Sequence, residues 1–297
     1  MQITTSEDVL ACFRLLLGRE LGAAENSGHL AFVGTPLESV VSAYLQSLEF
    51  RNRGLLQPGI EAEVVDLSGF SIYVAKDDAL IAPGIRAGYE PEVTRVFLEH
   101  MARGSVVDIG ANCGYYAFLA ASRGVYAYAF EPLQRNLRLL HASVLLNRFN
   151  NVKIIGAAAS DSPRTLTIGA SYTDGIVAEP RSELKAALAA DYVAAVRVDD
   201  VIPRDEPVSL IKIDVEGHEY LALVGALRTI RERRPVIVSE FSPAGLKVNS
   251  RRSGTEYLQL LSDLGYDVSV IGNREAKPID AVRVSPSDHV DLLAVPR

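Results

Sequence analysis

Three carboxylates and an imidazole stand where they could do chemistry. Asp214, Glu216 and His218 follow one apolar run, 210–214, and Glu240 closes another, 236–241. A carboxylate or a neutral imidazole within hydrogen-bond reach of a hydroxyl can take its proton as the oxygen attacks an electrophile. Asp214 ranks first as base or as holder of the acceptor, and Glu216 and Glu240 come next. His218 follows them, because Gly217-His218-Glu219 also reads as the cap of a helix starting at Tyr220. Asp214, Glu216 and Glu240 could instead supply oxygens to Mg²⁺, which would lower the pKa of a bound alcohol and make a dedicated base unnecessary. The metal-free reading is favoured, since such spacing is common by chance. Alternation along the run 210–214 puts Lys212 and Asp214 on one face and Ile211 and Ile213 on the other.

A second constellation concerns what those groups would act on. In Val107-Asp108-Ile109-Gly110-Ala111-Asn112-Cys113-Gly114-Tyr115, a short apolar strand runs through a glycine-punctuated turn into a helical pattern. Gly110 and Gly114 allow a tight turn and close approach of a ligand to the backbone, and the following helix start offers unpaired N–H groups. Glu131 ends a second strand-like run about twenty residues on, the distance at which a carboxylate can accept both hydroxyls of a ribose. A dinucleotide fingerprint would have glycine at Asn112, whose side chain obstructs a pyrophosphate. An adenosine cofactor without pyrophosphate fits better, and S-adenosylmethionine is the expectation. Asp108 is then placed to hold turn amides or, through water, the methionine ammonium. Asn112 can contact the methionine tail, Tyr115 can stack on a ring, and Ser160 and Asp161 fall where related folds pass the adenine.

The elements that must position these residues follow from periodicity. Apolar strands at 106–110, 125–131, 152–158, 210–214, 236–241, 266–271 and 291–295 alternate with helical spacing at 134–148, 220–231 and 255–264. Such alternation predicts an α/β fold, a Rossmann-like parallel sheet with helices on both faces and a site along the carboxyl ends of its strands. No helix separates the last two strands, which predicts an antiparallel hairpin at the sheet edge. Runs 62–67 and 70–74 around Ser68-Gly69 predict a hairpin ahead of this core. Before residue 54 the spacing is helical, with Ser6-Glu7-Asp8 capping Val9, Leu10, Phe13, Leu16 and Leu17, and a second helix over 36–50. The expected division is a helical unit at 1–54 and a catalytic domain at 55–297. Segments 168–196, without clear period, and 243–254, a candidate lid, would contact the substrate.

Composition narrows the partners. A chain of 297 residues, 48% apolar and 23% charged, can bury one full core and a small second one. Its net charge of −7 disfavours nucleic acid, whose nonspecific affinity comes from clustered Lys and Arg. Cys12 and Cys113 suggest no disulfide framework, and residues 9–17 are too short to span a bilayer. The expectation is a cytoplasmic protein with no membrane contact, acting on a small molecule or glycan; a homo-oligomer is compatible with all of this.

Five motifs in order carry a resemblance over roughly residues 60–297: Arg86-Ala87-Gly88-Tyr89-Glu90-Pro91-Glu92, the turn 107–115, Ala129-Phe130-Glu131-Pro132, residues 211–219, and Val238-Ser239-Glu240-Phe241-Ser242-Pro243. Together they resemble the FkbM family of S-adenosylmethionine-dependent methyltransferases. The resemblance implies the class I methyltransferase version of the fold and methylation of hydroxyl groups on sugars or polyketides, with Glu90 reaching the methionine ammonium. Residues 15–20 with 44–50 resemble a short helical domain of uncharacterised function found beside glycan-related enzymes, although the Asp-rich segment usual there is replaced by Leu21-Gly22-Ala23-Ala24. Two other readings share part of the pattern: a nicotinamide-dependent oxidoreductase, disfavoured by Asn112 and the edge hairpin, and a non-catalytic cofactor-binding module, which would have no need of acidic residues at three strand ends.

Overall fold

A computed structural model describes the chain except residues 1, 18–19, 23–24, 48, 50–59, 171–174, 179–190, 273–276 and 279–288. Two compact units divide it, Met1–Ile60 and Glu61–Arg297. The boundary expected near residue 54 lies outside the described residues.

In the first unit, α1 (Ser6–Ala11) runs into a π-helical stretch, Cys12–Leu17, followed by α2 (Asn26–Leu30) and α3 (Leu37–Gln46). The cap of α1 is Thr5 rather than Ser6: its side chain accepts the Asp8 amide while the Asp8 carboxylate accepts the Thr5 amide, a reciprocal capping box. Val9, Phe13, Leu17, Val40 and Tyr44 form the core. His29 Nδ1 meets the Tyr44 hydroxyl at 2.9 Å, and its ring lies edge-on to Phe13, 4.7 Å between centroids. This histidine thus serves packing.

The second unit begins with the expected hairpin, β1 (Ala62–Leu67) and β2 (Phe70–Ala75). Helices α4 (Ile81–Gly88) and α5 (Pro91–His100) lead to the sheet: β3 (Ser105–Ile109), α6 (Tyr115–Ala121), β4 (Ala127–Phe130), α7 (Gln134–Asn147) and β5 (Val152–Ile155). The hairpin docks on α7 through polar contacts. Asn147 Oδ1 accepts the Ser71 amide and its Nδ2 donates to the Ser71 carbonyl, at 2.8 and 2.6 Å, so one side chain mimics a neighbouring strand.

The described residues between 158 and 196, in part given no period by the sequence, include a sheet of their own. It contains β6 (Ala158–Ala159), β7 (Arg164–Ala170), β8 (Gly175–Ala178) and β9 (Asp191–Val196), in the order β6-β9-β7-β8. Leu166, Ile168, Val177 and Ala195 are its buried apolar side. Of the segment 168–196 expected to contact the substrate, residues 171–174 and 179–190 lie outside the described residues.

The chain then returns to the main sheet with α8 (Val198–Val201), β10 (Val208–Ile213), α9 (Glu219–Gly225), α10 (Leu227–Arg233), β11 (Val236–Phe241), α11 (Pro243–Asn249), α12 (Gly254–Asp263), β12 (Tyr266–Val270), β13 (Lys277–Pro278) and β14 (Val290–Pro296). Its order is β13-β12-β14-β11-β10-β3-β4-β5. Strands β5, β4, β3, β10 and β11 are parallel, and β14 runs antiparallel to both β11 and β12. The Rossmann-like α/β fold in its class I methyltransferase form is therefore present. The antiparallel pair expected at the sheet edge is formed by β12 and β14, with β14 lying between β11 and β12.

Strands buried on both faces divide their side chains by parity. Val106, Leu210, Val238 and Leu293 join α5, α6 and α7 in one core, with Phe97, Phe118 and Leu140. Ile109, Ile211, Ile213 and Ile237 join α9, α10 and α12 in the other, with Leu223, Ile230, Tyr257 and Leu261.

Candidate functional site

The same parity assembles a charged row. Asp108, Lys212, Glu240 and Asp291 each lie two residues from Val106, Leu210, Val238 and Leu293, so all four leave the sheet on one face. Register sets Lys212 beside Asp108 and Glu240 beside Asp291. Lys212 is the only buried lysine among the described residues. Its ammonium donates to Asp214 Oδ2 at 2.8 Å and lies 4.9 Å from the centre of the Tyr116 ring. Burial alone would lower its pKa, but the carboxylates of Asp214 and Glu90 outweigh that and hold it charged.

Glu90 comes to this row from the cap of α5, where Tyr116 donates to its Oε2 at 2.6 Å. Glu90 and Glu216 both have left-handed backbones, φ 39° and 53°, which costs a side-chain-bearing residue about 1–2 kcal/mol each. Such strain gathers where side chains must be aimed at a ligand.

The turn after β3 shows why glycine is needed. Gly110 has φ 83°, and a Cβ there would stand 1.8 Å from the Asp214 carbonyl oxygen. Its smallness lets the backbone after β10 cross the turn, which adds a reason to the ligand approach inferred from sequence. Gly114, φ 96°, is likewise closed off, by Leu140 and Phe118. Glu131 ties the turn to β4: Oε2 accepts the Asn112 amide and Oε1 the Leu133 amide, both at 2.8 Å. The Asn136 side chain also donates to this carboxylate, and only its remaining acceptor capacity is left for a ligand. Burial pushes Glu131 up to about 7 against the pull of these two amides.

A cleft of about 240 Å³ opens over the turn. Glu90, Gly110, Asn112, Glu131, Asp214, Glu216, His218 and Glu240 line it, together with Tyr89, Phe130, Pro132, Ala158 and Val177. Eight residues singled out in the sequence thus share one wall. Five others do not reach it. Asp108 is buried behind the turn, where its Oδ2 accepts the Ala117 amide at 3.0 Å. Gly114 starts α6, and the Tyr115 ring packs 5.0 Å from Tyr89 and 6.1 Å from Phe70. Ser160 is buried beneath His218, and Asp161 is paired with Arg164.

Carboxylates outnumber the cation here, and their pKa values show it. Glu240 is pushed up to about 9, first by burial and then by Asp214, Glu219 and Glu216, with Lys212 opposing. Asp108 and Asp291 rise to about 6, chiefly by burial. Glu240 Oε2 is buried without a hydrogen-bond partner. Asp214, Glu216 and Glu240 can each present an oxygen within 4.8 Å of the others'. A cationic ligand is what such a set lacks.

The loop after β10 is held from two sides. Glu219, fully buried, accepts the amides of Val215 and Gly217 at 3.2 and 2.8 Å, so the helix begins at Glu219 with His218 as its cap residue, one position earlier than expected. Segment 243–250 is no free lid: α11 follows the Ser242 cap, and Asn249 and Ser250 donate to the carbonyls of Glu216 and Gly217.

Sequence reasoning missed Asp291, a lone acid in an apolar strand whose register with Glu240 only the fold reveals. His289 also meets Glu240. Its Nδ1 lies 3.3 Å from Glu240 Oε1 and its Nε2 3.2 Å from Ser242 Oγ, although the side chain is largely exposed.

Comparison with known proteins follows the same line. Residues 108–268 match the methyltransferase FkbM domain. No curated protein matches the sequence. Among solved structures, the chain is similar to a methyltransferase FkbM from Methylobacillus flagellatus, with 17% identity over 95% of this chain and 58% of that one, TM-score 0.44. It is similar to a precorrin-6y C5,15-methyltransferase from Geobacter metallireducens, with 15% identity over 70% and 89%, TM-score 0.40. The M. jannaschii protein TYW2 in complex with AdoMet shares 16% identity over 80% and 87%, TM-score 0.41. The chain spans 58% of the length of the Methylobacillus protein.

Proposed function

The chain belongs to the FkbM methyltransferase family, and from that premise we propose that it transfers a methyl group from S-adenosylmethionine to a hydroxyl of a sugar or polyketide-type small molecule. One observation carries this reading: Glu90, Asp214, Glu216 and Glu240 line the cleft over the Gly110 turn, and the one buried lysine among the described residues, Lys212, is bonded to Asp214. A ligand carrying an ammonium and a sulfonium would supply the missing positive charge. Glu131 would hold the ribose with its remaining lone pairs, Asn112 the methionine tail, and Glu90 the ammonium.

When bound, the cofactor supplies an electrophilic methyl group on sulfur. The chain's own part is to orient the acceptor and receive its proton. Alignment of the reacting oxygen accounts for most of the acceleration in such a displacement. Asp214, fixed by Lys212 through one oxygen, keeps the other to accept from the hydroxyl, and Glu216 stands beside it on the wall. Glu240, with its raised pKa, is a poor ground-state base at neutral pH but a good proton acceptor once a cation sits next to it. The same negative surface, with the net charge of −7, argues for a small neutral acceptor and against nucleic acid.

The test is a methyl-transfer screen with labelled cofactor against nucleotide sugars, free glycans and macrolide-like alcohols, with and without a chelator. Transfer to an alcohol that Asp214→Ala abolishes supports the reading. Binding of a nicotinamide dinucleotide in place of the sulfonium cofactor overturns it, and loss of transfer on chelation would reassign the three carboxylates to a metal.

A further inference from the structure

His218 forms part of the cleft wall yet is 2% exposed. Its ring Nε2 lies 3.0 Å from Ser160 Oγ. Ser160 Oγ also lies 3.1 Å from Asp161 Oδ1, and Asp161 is paired with Arg164. Burial would raise the Asp161 pKa, but the Arg164 guanidinium and the Ser160 hydroxyl more than offset it, so Asp161 is lowered and ionised. An ionised carboxylate only accepts. The single hydroxyl proton of Ser160 therefore goes to Asp161, and Ser160 must accept from His218. That chain fixes the tautomer: Nε2 carries the hydrogen and Nδ1 a bare lone pair.

Nδ1 is the ring's remaining polar atom, and it is buried without a hydrogen-bond partner. A buried acceptor left unpaired costs about 1–3 kcal/mol, so a group that pairs with it is well rewarded. Protonation does not relieve the atom, because burial and then Arg164 push the imidazole down to about 4. It stays neutral at physiological pH and asks for a donor from outside. The cleft is also lined by the apolar Ala157, Ala158, Ala159 and Pro132, surface that a heteroaromatic ring can cover, and by Glu131.

We infer that His218 Nδ1 accepts a hydrogen bond from the exocyclic amino group of the cofactor's adenine, with Ser160 and Asp161 as positioning residues that fix its tautomer. This rests on the reading of the cleft as a site for S-adenosylmethionine. The recognition expected of Asp161 itself passes to the histidine in front of it, and the ligand class is a 6-aminopurine rather than a 6-oxopurine. A carbonyl oxygen at that position would face the lone pair of Nδ1.

The experiment compares S-adenosylhomocysteine with S-inosylhomocysteine by calorimetry on wild type, His218→Leu and His218→Asn, since an asparagine oxygen can occupy the place of Nδ1. Wild type is expected to prefer the amino compound by roughly tenfold or more, the penalty of an unpaired buried acceptor. His218→Leu should erase the preference and His218→Asn should restore part of it. Long-range ¹⁵N–¹H spectra of the wild type give a readout independent of variant folding: Nε2 protonated, Nδ1 bare, and Nδ1 moving upfield on adding S-adenosylhomocysteine but not the inosyl compound. Equal affinity of wild type for the two compounds, or a proton on Nδ1, overturns the inference while leaving the methyltransferase reading standing. Failure of wild type to bind S-adenosylhomocysteine at all would remove both.

Discussion

Glu240→Gln should make the protein more stable and less active, and the gain should depend on pH. Glu240 has its pKa raised from 4.5 to about 9 in the folded chain. An acid with a raised folded pKa binds more protons folded than unfolded, so stability is full below about 4.5 and is lost as pH rises toward 9. One pKa unit is worth about 1.4 kcal/mol. At pH 7 the interval above 4.5 is 2.5 units, which gives about 3 kcal/mol if Glu240 alone bore the strain. Asp214 and Glu216 share it, so we expect about 1–3 kcal/mol. Glutamine keeps the shape and cannot ionise. Urea unfolding of wild type and variant from pH 4.5 to 9 should give stabilities that meet at the acid end and diverge steadily above it, the variant on top. A cationic cofactor acts in the opposite sense on wild type, by expelling the proton from Glu240. Calorimetry in two buffers of different ionisation enthalpy should then report proton release near pH 8, absent in the variant. Parallel stability curves, or a variant less stable at pH 8 than at pH 5 relative to wild type, would refute the charge argument.

Three further outcomes follow from named contacts. Gly110→Ala puts a methyl group 1.8 Å from the Asp214 carbonyl oxygen at a φ of 83°; it should cost roughly 3 kcal/mol or more and abolish binding of S-adenosylhomocysteine, as melting and calorimetry will show. Lys212→Met leaves Asp214 and Glu90 without their ammonium. Breaking a buried pair costs about 3–5 kcal/mol, reduced here because Asp214 is partly exposed, and the loss should be smaller at pH 5 than at pH 8 in urea titrations; an equal loss at both would count against the electrostatic account. Asn147→Ala removes both hydrogen bonds to Ser71 and should cost about 1–3 kcal/mol, with faster amide exchange at Ser71 than at the β3 amides.

Local chemistry was legible in the sequence, and long-range register was not. The Gly110-Asn112-Gly114 turn, Glu131 at a strand end and the parity of Lys212 with Asp214 all follow from a few consecutive residues, and the structure sets Gly110, Asn112, Glu131 and Asp214 on one cleft, with Lys212 bonded to Asp214. Asp291 escaped because its importance depends on pairing with Glu240, fifty-odd residues away with no local signal. The small sheet was missed for another reason. In β7 the buried Leu166 and Ile168 alternate with threonines, a pattern too short to stand out, and its partner β9 begins with exposed Asp191 and Tyr192. Asp161 was expected where the adenine passes, but it is paired with Arg164 and does not line the cleft, a competition between side chains that its local sequence does not display. Thr5 displaced Ser6 as the first cap because adjacent cap-forming residues differ only in where the backbone turns.

Strand β14 lies between β12 and β11, both of which precede it in the chain. During synthesis β12 has no partner on its inner side until residues 290–296 have emerged, and β11 keeps an open edge over the same interval. Asp291 comes beside Glu240 with that strand, whereas Asp214, Glu216 and Glu219, the carboxylates that repel Glu240, lie on the part of the chain made before it. Because Leu292, Leu293 and Ala294 arrive on the same strand, both hydrophobic layers close in the step that seats Asp291 against Glu240.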